Sequence, residues 1–451
     1  MFLGKPNILL VMTDQQRWDT MSAHVNHFAA RTPGMDYLVR HGVTFANAYC
    51  TAPICTPSRA CLMTGQYPSQ VGMHANLSAP CGPLDEGIGT IADRLQAVGY
   101  QTVYCGKSHL GGDLGHYGFE KAFENGHDAT TLTEACRYWR NRDWAVNKRP
   151  FFQIVSFVNP HDVYFLDPDE QCPPELPPWP SKDDDLSTKP WPQRFSRGGG
   201  GWTPQRWEYY RRFYRSKVEK VDASIATLLD ELVCTGYAPT TWVFFTADHG
   251  DMAGEHGLPF KGAYMYEGVT RVPLVVMPPR KRLLGAKNMN PAGATEFTPL
   301  VFDGLVSHID LAPTMLELAG LTVAAGDSTG RAAPELPGRS LLPILEGRSR
   351  DGDEAVFAEW HQMGKMVTPI RMVRAGRWKY NLYLHNGEEL YDLDADPHEL
   401  NNLADRCEFG QAKADLRKRL LAHIERTRDP FFSYQPTDRD GKPRCDCPTK
   451  A

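Results

Sequence analysis

The sequence has no apolar run near the ~20 residues needed to cross a bilayer. Its first apolar run, residues 8–12, stops at Asp14. That run is also shorter than the h-region of a secretory signal, about 7–15 residues. The expected compartment is therefore the cytoplasm, or the periplasm or the exterior if a leader has been removed. Positive charge is not in excess: 49 Lys and Arg stand against 54 Asp and Glu, for a net charge of −5. No basic stripe is present, so the footprint of a nucleic-acid binder is missing. An anionic substrate is still compatible, because a few local cations are enough to hold one. Cysteine forms no framework. The eleven cysteines are odd in number and scattered, apart from Cys445 and Cys447. In a chain this long that pattern points to a reducing compartment. Internal repeats are absent, and nothing in the sequence sets an oligomeric state.

What is present fits an ordinary globular protein. The chain has 451 residues, 41% hydrophobic and 23% charged, room for two domains. Short β-rich apolar runs at residues 8–12, 102–105, 151–158, 242–246 and 274–277 alternate with helical patterns. Runs of this kind suit strands buried on both faces of a sheet. One helix begins at Thr90, with Asp93 at its third position and Gly99 as its stop. A longer one carries Val218, Val221, Ile225, Leu228, Leu229 and Leu232 and closes at Gly236. The expected fold is α/β: a large, mostly parallel sheet flanked by helices on both faces, over residues 1–340.

Residues 172–202 break the pattern. They are rich in proline, tryptophan and charge and end in four glycines, Gly198 to Gly201. They read as a long surface excursion serving as a lid or substrate wall, or equally as a plain disordered insertion. After residue 340, strand-like runs at 355–359, 370–373, 378–384 and 389–393 precede a helix over residues 410–426. This second unit, 341–451, is expected to be a small antiparallel sheet with one terminal helix.

The polar residues that could carry chemistry follow the strand runs. Asp14 and Gln15 follow the first, Lys107 and His109 the second, His161 the third, Asp248 and His249 the fourth. Open α/β sheets bind ligands outside the carboxyl ends of their strands. Any one of these residues alone suits a surface loop; four strand ends delivering such groups toward one edge suit a site. Cys55, in Cys55-Thr56-Pro57-Ser58-Arg59, is a candidate nucleophile at the start of a helix, or else a half-buried structural cysteine. A thiolate phosphatase loop needs arginine six positions after the cysteine. Cys61 stands there and the arginine is Arg59, so that arrangement is excluded.

Cys55-Thr56-Pro57-Ser58-Arg59 resembles the signature of type I sulfatases, in the alkaline phosphatase superfamily. The match continues in order: residues 7–15, Thr64-Gly65-Gln66-Tyr67-Pro68, Gly106-Lys107-Ser108-His109, Asn159-Pro160-His161, Thr246-Ala247-Asp248-His249-Gly250-Asp251, Lys261, His308-Ile309-Asp310 and residues 390–403. It spans essentially the whole chain. The resemblance implies hydrolysis of a sulfate monoester of a sugar, aryl or alkyl alcohol. It implies a formylglycine made from Cys55 by a maturation enzyme that reads residues 55–59. The hydrated aldehyde has two hydroxyls on one carbon. One attacks sulfur and displaces the alcohol; the other then loses its proton, expels sulfate and restores the aldehyde.

The same resemblance implies a metal site of Asp14, Gln15, Asp248, His249 and an oxygen of modified Cys55. Such ligands suit calcium, with magnesium or manganese as alternatives. Gln15 departs from the commoner second aspartate and is similar to choline-sulfatase-like and phosphonate-monoester-hydrolase-like members; it is a ligand or a residue behind one. Arg59, Lys107 and Lys261 are expected to hold the diol and the sulfate charge. His109 is expected to take the diol proton, and His161 to protonate the leaving oxygen. For each of these cations and histidines the alternative is an ordinary surface or loop residue. His74, Asn76, Trp360, His361, Arg371 and His385 are candidates for a substrate wall, or for plain packing. Two rival functions share the scaffold: a phosphonate monoester or phosphodiester hydrolase, which Lys107 disfavours, and a binding protein without catalysis.

Overall fold

The computed structural model describes residues 4–77, 81–142, 148–173, 176–177, 179–197, 201–279, 300–321 and 336–443. Cys445, Cys447 and three of the four glycines, 198–200, lie outside them. Strands β1 (Asn7–Asp14), β2 (Val43–Tyr49), β3 (Gln101–Gly106), β4 (Lys121–Glu124), β5 (Phe151–Pro160), β6 (Thr241–Ala247), β7 (Arg271–Val272), β8 (Leu274–Met277) and β9 (Leu300–Ser307) form one sheet. Its order is β4-β3-β5-β1-β6-β8-β2-β7, with β9 also paired to β2. The pairs β4–β3, β3–β5, β5–β1, β1–β6 and β2–β9 are parallel; β8 runs against both β6 and β2.

The continuous apolar run of β1 has the expected cause. Ile8, Leu10 and Met12 enter the core on one face, and Leu9 and Val11 enter the core on the other. The first face is covered by α2 (Cys55–Thr64), α3 (Ile91–Ala97) and α6 (Leu311–Leu318). The second carries α1 (Pro33–His41), α4 (Asp128–Arg140) and the long α5 (Pro204–Cys234). The capping signal read at residue 90 is realised: Thr90 accepts from Asp93 N, and the Asp93 carboxylate accepts from Thr90 N at 2.9 Å. Strands β2, β4, β7 and β9 add to the five runs visible in the sequence.

A second sheet of β10 (Val356–Met363), β11 (Met366–Ala375), β12 (Trp378–Tyr383) and β13 (Gly387–Asp392) is antiparallel throughout. Helix α7 (Gly410–Thr427) covers one face through Leu416, Leu420 and Ile424. The other face lays Val356, Ala358, Trp360 and Ile370 against Tyr49, Ala52, Ile54, Ala263 and Met265 of the first unit. Ile54 is the neighbour of Cys55, so the small sheet braces the loop that leads into the site.

The excursion expected at the surface is a strap. Lys189 and Gln193 have no exposed side-chain surface to speak of. Lys189 Nζ donates to Tyr391 Oη (3.0 Å) and the Glu399 carbonyl (2.6 Å). Gln193 Nε2 donates to Glu389 Oε1 (2.7 Å) and Tyr383 Oη (3.0 Å). A lysine and a glutamine look like solvated residues in sequence; here they anchor the segment to β12 and β13 because buried polar partners await them.

Candidate active site

The carboxyl ends of β1, β3, β5 and β6 meet the amino end of α2. Cys55 is the first residue of α2, fully buried, where the helix dipole and free N–H groups favour negative charge. Its Sγ lies 3.3 Å from His249 Nε2, 3.2 Å from Lys261 Nζ and 3.7 Å from Asp14 Oδ1. Ligand atoms of Asp14, Cys55, Asp248 and His249 all lie within 4.8 Å of one another. Three segments far apart in the chain, at residues 14, 55 and 248–249, therefore share one point.

Two carboxylates at this depth need compensation. Arg59 supplies it from the next turn of α2, with Nη2 2.8 Å from Asp14 Oδ2 and Nε 2.8 Å from Asp248 Oδ2. Its Nη1 donates to the Lys107 carbonyl (2.6 Å) and Ser156 Oγ (2.8 Å). Lys107 Nζ lies 2.6 Å from Asp14 Oδ2. Ser58 Oγ donates to the Asp248 carbonyl at 2.5 Å. Gly106, at φ 98°, lets β3 turn at this spot. A Cβ there would stand 2.0 Å from the Ser156 carbonyl oxygen.

The electrostatics follow. Burial raises the Asp14 carboxyl, yet Lys107 and Arg59 carry it well below its ordinary value. Asp248 is raised, by burial and by Asp14. Burial and Asp14 push the Cys55 thiol up, but Lys261, Lys107 and His249 outweigh them, and the thiol ends well below its ordinary value. The position of Sγ is thus one where negative charge is stabilised. Burial pushes His161 down to about 4, with Asp14 opposing and Lys107 and Lys261 assisting. Its ring packs beside Tyr164 (4.9 Å), which stacks on Phe260 (4.0 Å) under Lys261. His109 presents a buried Nδ1 with no hydrogen-bond partner among the described residues.

The donor set suits a hard cation: two carboxylates, one imidazole nitrogen, the Gln15 carbonyl oxygen nearby, and Sγ standing in for an oxygen of a modified residue. Gln15 N donates to Asp248 Oδ1 (2.9 Å), and its Oε1 accepts from Lys261 Nζ (2.5 Å).

Of the wall candidates, Asn76 comes close: its Oδ1 accepts from Thr56 N at 3.0 Å. His74, His361 and Tyr434 form a ring cluster nearby, with centroids 4.2–5.6 Å apart. Trp360 is core, and Arg371 is a buried structural cation tied to Asp429 and Glu359. Sequence reasoning assigned no role to Asp251, Tyr164, Tyr210 or Ser156. Asp251 stood inside a matched motif, and that was its only signal.

Comparison with known proteins agrees with this geometry. The pattern of the Sulfatase family matches residues 6–321, and that of N-sulphoglucosamine sulphohydrolase, C-terminal, matches residues 254–426. The uncharacterized sulfatase YidJ of Escherichia coli (strain K12) is 30% identical, with 98% of this chain and 92% of its own covered. A Delta 4,5-hexuronate-2-O-sulfatase of Bacteroides thetaiotaomicron is 29% identical, with 98% and 92% covered. The solved structure of a 2-O GAG sulfatase is similar at TM-score 0.81 and 29% identity, with 96% and 95% covered. The chain therefore belongs to the sulfatase family and is a sulfuric ester hydrolase.

Proposed function

We propose that the enzyme removes sulfate from a sulfated saccharide, with a formylglycine made from Cys55 and a calcium ion held by Asp14, Gln15, Asp248 and His249. The convergence of Cys55 Sγ on His249, Lys261 and Asp14 carries the proposal. The saccharide is supported by relatives named for sulfated sugars, the Delta 4,5-hexuronate-2-O-sulfatase at 29% identity and an N-acetylglucosamine-6-O-sulfatase at 24%. The oxygen-rich donor set supports calcium over a softer metal. The bound cation would polarise the sulfate oxygens and lower the pKa of the nucleophile. Formylglycine, once hydrated, would supply one hydroxyl for attack on sulfur and a second for its release.

The chain's own residues do the remaining work. Arg59 neutralises Asp14 and Asp248 and keeps both carboxylates aimed at one point. Lys107 and Lys261 hold the sulfate charge from two sides. His109, whose buried Nδ1 has no hydrogen-bond partner among the described residues, is the base assigned to the proton of residue 55. His161 gives a proton to the leaving alcohol oxygen. Alone it is neutral near pH 7; an incoming sulfate ester adds negative charge beside it and raises its proton affinity. Residues 55–59 are the segment a maturation enzyme would read. The described cysteines are all free, which supports a reducing compartment such as the cytoplasm. The functional division is a catalytic unit over 1–340 and a bracing unit over 341–451.

Intact mass and assay test this together. Protein from the native host is expected to be lighter by ~18 Da at residue 55, the exchange of SH and H for a carbonyl oxygen. It is expected to hydrolyse sulfated saccharides, and Cys55→Ala is expected to fold yet show no turnover. Activity on phenyl phosphonate alone would establish the phosphonate rival. An unshifted mass with no turnover would leave only a binding protein.

A further inference from the structure

Gln15 is fully buried at the end of β1, in a left-handed conformation with φ 68°. Its side-chain amide lies between two charged groups. Lys261 Nζ, 2.5 Å away, can only donate, so an oxygen must face it. Asp251 Oδ2, also 2.5 Å away, accepts, so the NH2 must face Asp251. The neighbours alone therefore decide which way the amide points. Asp251 is itself fixed. Tyr210 Oη lies 2.8 and 2.9 Å from its two oxygens, and Ala253 N donates to Oδ1 at 2.6 Å. Arg17 Nη1 donates to its carbonyl at 2.7 Å.

We propose that Asp251 is a positioning residue for the cation site: clamped by Tyr210, it aims the Gln15 carbonyl oxygen at the cation, and its charge requires an uncharged side chain at position 15. The proposal rests on the cation assigned above. Its logic is a balance of donors and acceptors. Gln15→Glu alone sets two carboxylate oxygens about 2.5 Å apart with no hydrogen between them. Asp251→Asn alone offers one oxygen to two donors, Ala253 N and the Gln15 amide, so one contact fails in either orientation. Combined, the two changes restore every pairing. The new amide accepts from Ala253 N and donates to the new carboxylate, which still faces Lys261. The charge has only moved across the bond.

The test is a double-mutant cycle on the full chain, stripped with EDTA and titrated with Ca²⁺, read as the shift in melting temperature. Gln15→Glu and Asp251→Asn are each expected to weaken Ca²⁺ binding by about tenfold or more, the usual cost of disturbing a ligand's support. The double variant is expected to return to within about threefold of the wild type, and Tyr210→Phe to lose less than either single change. Single variants that bind like the wild type, or a double variant as weak as the summed singles, would overturn the proposal. A wild type unresponsive to Ca²⁺, Mg²⁺ and Mn²⁺ would instead remove the cation itself. Melting without cation shows which variants are folded. If Asp251→Asn alone is not, the comparison of Gln15→Glu with the double variant, and Tyr210→Phe, still decides the matter.

Discussion

An imidazole that protonates a leaving group matters in proportion to how badly that group leaves. His161 is held down to about 4 by burial, with Asp14 as the main opposing charge. It carries little proton at neutral pH until substrate is bound. Replacing it by alanine is expected to cut kcat/KM on a sugar sulfate by about 10²–10⁴, the ordinary worth of a general acid. An aryl sulfate with an acidic phenol needs no such help and is expected to lose far less. The ratio of the two rates for His161→Ala and wild type, measured in parallel, decides the assignment; equal losses on both esters would make His161 a binding residue. Position after a strand pointed to Asp14, Lys107 and Asp248 only when several strand ends were taken together, because ligands gather at strand ends in open α/β sheets, and His161 was singled out by its Asn159-Pro160-His161 context. Asp251 also follows a strand, β6, yet beyond its place in a matched motif nothing in the sequence marked it out. Its work is done on the Gln15 amide, and no pattern along one chain records a contact between residues 15 and 251.

Elements were legible where burial is two-sided and continuous. Strands β1, β3, β5 and β6 read as strands because both of their faces meet helices. Strand β9 did not, because Leu300, Val301 and Asp303 of its first half are exposed and Asp303-Gly304 interrupts its apolar run. Strand β2 did not, because Asn47 sits in its middle, where it donates to the Asp303 carbonyl at 2.7 Å. The strap at 186–197 failed for a different reason: its anchors are polar, and polarity in sequence reads as solvent. Those anchors are testable. Gln193→Ala removes the donor to Glu389 Oε1, which then keeps Tyr391 Oη at 2.6 Å as its one hydrogen-bond partner among the described residues. An under-satisfied buried carboxylate costs about 1–3 kcal/mol. Urea unfolding is expected to show that loss as a lower midpoint at unchanged slope. A variant with the wild-type midpoint would mean that water replaces the amide and the strap does not lock the second sheet.

At the scale of the whole molecule, the two units meet around His423. It lies on α7, its ring stacks 3.8 Å from Phe357 of β10 and stands edge-on, 4.6 Å, to Tyr67 of the first unit. Nδ1 faces Arg426 Nη2 at 3.2 Å, so it accepts and the ring is neutral. Burial first, then Arg426 and Arg371, push His423 down to about 3. His308 and His361 are held equally low, chiefly by burial. The sign is fixed by which state binds the proton. Between pH ~6.5 and ~3 the unfolded chain protonates these rings and the folded one does not, so acid favours unfolding throughout that window. Glu359 and Glu399, held up to about 7 mainly by burial, work the other way: the folded state keeps protons there that the unfolded chain releases above pH ~4.5, so their contribution fades as pH rises toward 7. The net curve mixes both signs, and a difference between two proteins isolates one group. His423→Gln keeps an acceptor for Arg426 but cannot titrate. Its stability is expected to fall less steeply than that of the wild type between pH 6 and 4, by about 1.4 kcal/mol per pH unit. Parallel curves would mean that His423 finds its proton in the folded seam, and that the joint between the two units opens before the molecule unfolds.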